Sequence, residues 1–162
     1  MSAQVTFVAV DSGPRLEDIR LLFLEYAGSL NFSLCFQQFD QELRGLPGEY
    51  APPDGRLILC EVDGRPAGCI ALKKLEEGIC EMKRLYIRPE FRGRALGLKL
   101  VIHLIAEARS AGYSAMRLDT VSGIMDHAIA LYRSVGFRNI PPYYVSPIAN
   151  AVYLELDLQF HF

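Results

Sequence analysis

Apolar residues recur along this chain in two rhythms, one of period two and one of period three to four, and their succession predicts the order of elements. Val5 to Val10 reads as a first strand, and Pro14 then opens a helix in which Leu16, Ile19, Leu22, Phe23 and Tyr26 share a face. A second helix is predicted from Gln37 to Leu46, ending where Gly45, Pro47 and Gly48 break the pattern, and Pro47 to Gly55 reads as loop. Arg56 to Val62 and Ala67 to Lys74 are two strands joined by Asp63-Gly64, a dipeptide that favours a tight antiparallel turn. Glu76 to Gly78 turns the chain into a third strand, Cys80 to Ile87. Leu96, Leu100, Val101, Leu104, Ile105 and Ala108 then return at helical spacing. Ser114 to Val121 reads as a strand, Met125 to Val135 as a helix, and the chain beyond Phe137 as an irregular hairpin completed by Ala151 to Leu158.

This order mixes hairpins with crossovers and predicts an α/β chain, a mixed sheet covered by helices, folded as a single domain over residues 1–162. Strand alternation sends Glu81, Lys83, Leu85 and Ile87 to one side and Met82, Arg84 and Tyr86 to the other.

The segment RPEFRGRALGLKL, Arg88 to Leu100, carries the most chemistry. It joins a strand to an amphipathic helix through a basic, small-residue turn. A helix beginning near Gly93 or Arg94 would point its unpaired first-turn N–H groups and the positive end of its dipole at that turn. Gly93, Ala95 and Gly97 would clear the approach, and Arg92 and Arg94 add charge suited to phosphate oxygens. Two familiar phosphate motifs do not fit. A Walker loop needs Lys then Ser or Thr after its last glycine, whereas Leu98, Lys99 and Leu100 follow Gly97. A dinucleotide fingerprint needs three glycines at set offsets; Asp119 stands at a suitable distance for its acidic residue, but only Gly93 and Gly97 are present.

The turn resembles the acyl-coenzyme A loop of the GNAT superfamily of N-acetyltransferases, whose pattern is Arg or Gln, two residues, Gly, one residue, then Gly or Ala. Arg92, Ala95 and Gly97 occupy those positions, and Ala95 departs from the usual glycine by one methyl without removing an N–H donor. The preceding strand CEMKRLYIRP, the later run AIALYRSVGF and the closing strand AVYLELDL follow in the order of that family. The resemblance implies a GNAT-like acyl-CoA N-acyltransferase fold, mostly antiparallel, with two splayed central parallel strands flanked by helices. It further implies acetyl-CoA as co-substrate. The backbone of Leu85, Tyr86 and Ile87 would pair with its pantetheine arm, and Arg92, Gly93, Arg94, Ala95, Leu96 and Gly97 would hold its diphosphate. Tyr132 is implied as the acid that protonates the departing thiolate, and Glu81 as the base that takes a proton from the amine through water. Plain alternatives are a core aromatic for Tyr132 and an ion pair with Lys83 for Glu81.

Composition narrows the partners. Seventeen basic and nineteen acidic residues give a net charge of −2, which offers no general attraction for nucleic acid or an anionic membrane. Cys35, Cys60, Cys69 and Cys80 form no Cys-x-x-Cys pair, no metal site emerges, and no signal peptide or long apolar span is evident. A cytoplasmic location follows from these features as an expectation. The remaining partners are an amine acceptor, on a small molecule or peptide, and a second copy of the chain as a homodimer. The acceptor pocket is expected among the first two helices, the loop before Arg56 and the Pro141 to Pro147 segment. Phe32, Phe36, Tyr50, Tyr143 and Tyr144 are candidates to line it, and Arg84 could hold an acceptor carboxylate. Two rival readings remain: a sensor that binds acyl-CoA without turnover, and a domain that binds NAD.

Overall fold

Two hydrophobic cores, one on each face of a seven-stranded sheet, take up the apolar pattern. The structure, a computed structural model, describes residues 2–34 and 38–159. Strand β1 (Val5–Ala9) is followed by helices α1 (Pro14–Gly28) and α2 (Phe39–Gly45) and by strands β2 (Arg56–Val62), β3 (Arg65–Glu76) and β4 (Ile79–Ile87). Helix α3 (Leu96–Ser110), strand β5 (Ala115–Val121), helix α4 (Asp126–Ser134) and strands β6 (Arg138–Asn139) and β7 (Ala151–Asp157) complete the order. The strands pair as β1-β2-β3-β4-β5-β7-β6, and only β4 with β5 is parallel.

β2 and β3 are apolar almost throughout because both their faces are covered. Ile58, Cys60, Ile70 and Leu72 pack with Leu96, Leu100, Leu104 and Ala108 of α3 on one face. Leu57, Leu59, Cys69 and Ala71 pack with Ile19, Leu22 and Phe23 of α1 and Phe39 and Leu43 of α2 on the other. Each large side chain buried in this way contributes about 1.5–3 kcal/mol. Asp63 and Gly64 both take positive φ, 50° and 79°, which lets the β2–β3 turn follow the twist of its strands.

Two expectations are corrected. Helix α3 starts at Leu96 and not at Gly93 or Arg94, because Gly93 (φ 84°) and Ala95 (φ 59°) are left-handed and keep the turn out of the helix. The alternation along β4 also slips after Lys83. Cys69 pairs with Tyr86 and Ala71 with Lys83, so β4 carries an extra residue against β3, and Arg84 takes φ 64°. Glu81, Lys83, Arg84 and Tyr86 therefore share the α1/α2 side, and Leu85 and Ile87 pack with Met82 in the α3 core.

Gly68 sits opposite Ile87 just beyond this bulge. A Cβ there would lie 2.5 Å from the Tyr86 carbonyl oxygen and 2.6 Å from Ile87 Cδ1. Gly68→Ala is expected to lower stability by about 1–3 kcal/mol, read as a reduced urea midpoint with an unchanged slope. An unchanged midpoint would show that β3 and β4 can separate there without loss.

Candidate active site

The parallel pairing of β4 with β5 runs only from Ile79 with Ala115 through Cys80 with Met116 to Glu81 with Arg117. Beyond it, β5 pairs with β7 along its whole length and β4 stays on β3, so the two central strands separate. The bulge causes the divergence, since an extra residue sharpens local twist and turns the strand aside. Left-handed backbone is unfavourable for an arginine, and tertiary contacts hold it. The Arg84 side chain is 3% exposed and donates two bonds of 2.9 Å to the Glu42 carboxylate of α2. Its guanidinium also lies over the rings of Tyr26 and Phe39. Arg84 is thus a buried structural cation and not a free anchor for an acceptor.

A slot of about 70 Å³ opens where the strands part, walled by Met82 to Leu85, Leu118 to Val121 and α4. On one side it meets a cleft of about 650 Å³ between the end of β4, the Arg92–Leu98 turn and the start of α4. The amide of Arg92 donates to the Pro89 carbonyl and that of Lys99 to Ala95. Among the described residues no protein acceptor accompanies the amides from Gly93 to Leu98, so this concave run of N–H groups is open to an anion. The arginines behave differently from the sequence expectation. Arg92 lines the cleft but donates to the Ile87 carbonyl and lies over Tyr86, while Arg94 lies over Phe91 and does not line the cleft. Leu85, Tyr86 and Ile87 all line it, as do Gly93, Ala95, Leu96 and Gly97.

Tyr132 projects from α4 into the slot. It is 7% exposed and tilted against Phe137, and among the described residues its hydroxyl has no hydrogen-bond partner. Burial raises its pKa well above the ordinary phenol value, with Tyr26 and Asp119 adding to the rise. The group is therefore protonated at any physiological pH.

On the other side of the slot lies a second cleft of about 620 Å³, formed by α2, the Pro47–Tyr50 turn, the outer ends of β3 and β4, and the Tyr143–Pro147 segment. Glu81 is 4% exposed within it, accepts the Tyr143 hydroxyl at 2.7 Å, and stands 3.7 Å from the Lys83 ammonium and 3.9 Å from that of Lys73. Burial and the Glu81 charge push the Tyr143 phenol far up. Tyr144 donates to Asp119, which lines the slot, so a tyrosine of the cleft is tied to the slot wall. Tyr132 and Glu81 thus border different cavities, and Lys83 borders both the slot and this second cleft.

Of the aromatic residues expected here, Tyr50, Tyr143 and Tyr144 line the second cleft, Phe32 lines the slot instead, and Phe36 lies outside the described residues. Met125 borders the slot and the first cleft. His103 packs on Phe7, and His127 lines the first cleft. His161 and Cys35 lie outside the described residues. Burial pushes the thiols up, Cys60 to about 11, Cys80 to about 12 and Cys69 further, so none of these three is a ready nucleophile. Among the described residues no cluster of three or more His, Cys, Asp or Glu side chains could hold a metal ion, and no helix is long and apolar enough to cross a membrane. Sequence reasoning missed Lys83 as a site residue. Its one signal was a lysine in the middle of a central strand.

A mostly antiparallel sheet whose central parallel pair splays beside an open amide turn defines the acyl-CoA N-acyltransferase class of fold. Residues 17–137 match the acetyltransferase (GNAT) family model, and the chain belongs to that family. It is 39% identical over 158 residues to an uncharacterized N-acetyltransferase of Schizosaccharomyces pombe, covering 96% of each chain. It is also 30% identical to an uncharacterized N-acetyltransferase of Dictyostelium discoideum, with 93% of this chain and 98% of that one covered. Among solved structures, an acetyltransferase of Streptococcus agalactiae superposes with TM-score 0.77 at 18% identity, covering 94% of this chain and 98% of the other. The yncA structure from Salmonella typhimurium, solved with its cofactor acetyl-CoA, gives TM-score 0.65 at 21% identity over 97% and 95% of the two chains.

Removing the carboxylate that neutralises a buried arginine leaves an uncompensated charge, at a loss of about 3–5 kcal/mol. Glu42→Ala is therefore expected to lower Tm on the order of 10 °C for a chain of this length. A shift within about 2 °C would show that Arg84 finds solvent or another acceptor without rearranging the bulge.

Proposed function

We propose that residues 1–162 form a single acetyltransferase domain that moves an acetyl group from acetyl-CoA to a primary amine of a small molecule, amino acid or peptide, by direct transfer within a ternary complex. The observation that carries this reading is the buried Tyr132 hydroxyl, without a hydrogen-bond partner among the described residues, in a slot that shares lining residues with two clefts, one edged by free amides and the other by a buried carboxylate. The first cleft suits the coenzyme. Its amides from Gly93 to Leu98 would take the diphosphate, and β4 from Leu85 to Ile87 would lie along the pantetheine arm. The second cleft suits the acceptor, so both partners reach the slot from opposite sides without displacing each other.

The chemistry asks for three things. Glu81 takes the proton of the amine, through water, because it borders the acceptor cleft and not the slot itself. A backbone N–H near Leu85 or Tyr86 stabilises the tetrahedral oxyanion at the strand edge. Tyr132 gives its proton to the sulfur as the carbon–sulfur bond breaks, and the raised phenol pKa keeps the hydroxyl protonated until that moment. The free amine attacks the thioester directly, which agrees with the buried, hard-to-ionise thiols of Cys60, Cys69 and Cys80.

Acetyl-CoA is expected to raise Tm, while NAD and ATP at the same concentration leave it near its starting value. Stabilisation by NAD alone would reject the reading. Tyr132→Phe is expected to lower the rate of thiol release about 100-fold or more, with acetyl-CoA binding by calorimetry preserved. Unchanged turnover in that variant would remove the acid role, and binding of acetyl-CoA without turnover of any amine would favour a sensor.

A further inference from the structure

Lys83 is a buried ammonium that lacks a hydrogen-bond acceptor among the described residues. Its side chain is 10% exposed, and the anion beside it, Glu81 Oε1, is 3.7 Å away, too far for a bond. Glu81 does not satisfy it because that carboxylate has other claims. Its Oε2 is taken by Tyr143 at 2.7 Å, and its Oε1 also faces Lys73 at 3.9 Å. Lys73 in turn bonds to Glu49, whose side chain is 75% exposed and so weakly effective as a counter-charge. The other carboxylate at this end of the cleft, Glu42, is committed to Arg84. Two lysines thus share one buried carboxylate. Among the described residues the three N–H donors of Lys83 have no hydrogen-bond acceptor, at the boundary of the slot and the acceptor cleft, and Asp119 in the slot wall, which acts on it by charge, is itself bonded by Tyr144.

We propose that Lys83 binds an anionic group, a carboxylate, on the acceptor, so that the enzyme's preferred substrates are amines bearing an acidic group close to the reacting nitrogen. The inference rests on the acetyltransferase reading above and specifies its acceptor. A carboxylate placed at Lys83 would make the charge-assisted bonds the protein itself leaves unmade. Burial lowers the Lys83 pKa from the ordinary lysine value, with Glu81 and Asp119 opposing that fall, and a further anion would favour the charged form. A cationic or neutral acceptor gains nothing from this corner and meets a like charge or an unpaired donor.

The test measures thiol release with acetyl-CoA and matched acceptors. In one arm, free L-amino acids are compared with their carboxamides; in the other, peptides with aspartate at the second position are compared with their asparagine counterparts. Wild type is expected to favour the acid over the amide by about tenfold in kcat/KM in at least one arm. The arm in which this occurs tells a free amino acid from an acidic peptide. Lys83→Met is expected to bring the acid-to-amide ratio near one, chiefly through a higher KM for the acid, and Lys83→Arg to keep part of the preference. Equal use of acid and amide by wild type overturns the inference, as does a preference that survives Lys83→Met or failure to acetylate any acidic amine. Calorimetric binding of acetyl-CoA, run on wild type and on Lys83→Met, separates the failures. Loss of binding in wild type rejects the acetyltransferase reading itself and loss in Lys83→Met alone reports a misfolded variant, for which Lys83→Arg is then decisive. Intact binding with an adverse ratio rejects only the acidic acceptor.

Discussion

The gap between β4 and β5 depends on one buried ion pair, Arg84 with Glu42. An arginine in left-handed backbone within a central strand is unfavourable by itself. It is held because the guanidinium has somewhere to go: a carboxylate from α2 and two aromatic faces, all away from water. Without the bulge, continued alternation would let β4 run beside β5 past Glu81, and the strands would close over the space that Tyr132 borders. The pair therefore acts on the site through backbone geometry, and its own charge is spent within the core.

The same bulge decides which side chains meet. By slipping the alternation after Lys83, it keeps Glu81, Lys83 and Arg84 on the α1/α2 side and turns Leu85 and Ile87 toward α3. One face of β4 thus presents Glu81 and Lys83 to the second cleft, and its other face carries the apolar Leu85 and Ile87, which with Tyr86 line the first cleft. The bond from Tyr144 to Asp119 ties the second cleft to the slot wall, and Tyr143, Tyr144 and Tyr153 stack edge to face as one unit. A closely packed aromatic cluster bonded to the buried Glu81 and the half-buried Asp119 braces the floor of the second cleft, while Val145, 95% exposed, marks its rim.

Much of the site was legible in the residues because the features concerned are local. Small residues in the Arg92–Gly97 turn announce an open run of amides, and the structure has one. Tyr132 is recognisable within its segment. The start of α3 was misplaced by two to three residues, since a helical pattern extends past a turn whose left-handed Gly93 and Ala95 it cannot register. The roles of Arg84 and Lys83 were hidden for a different reason. Both are strand lysine or arginine residues in one charged run, and only their partners, Glu42 from forty-two residues away and Glu81 shared with Lys73, distinguish a neutralised cation from an unsatisfied one.

By itself the sequence determined the succession of elements, a mixed sheet covered by helices, the Asp63-Gly64 turn and the amide-rich loop, because each follows from spacing or from backbone preferences of neighbouring residues. Tertiary structure alone decided where β4 leaves β5, which face each charge of β4 takes, and which of those charges lacks a hydrogen-bond acceptor among the described residues. Those outcomes depend on contacts between residues far apart in the chain, where one extra residue in a ladder exchanges the faces of everything after it.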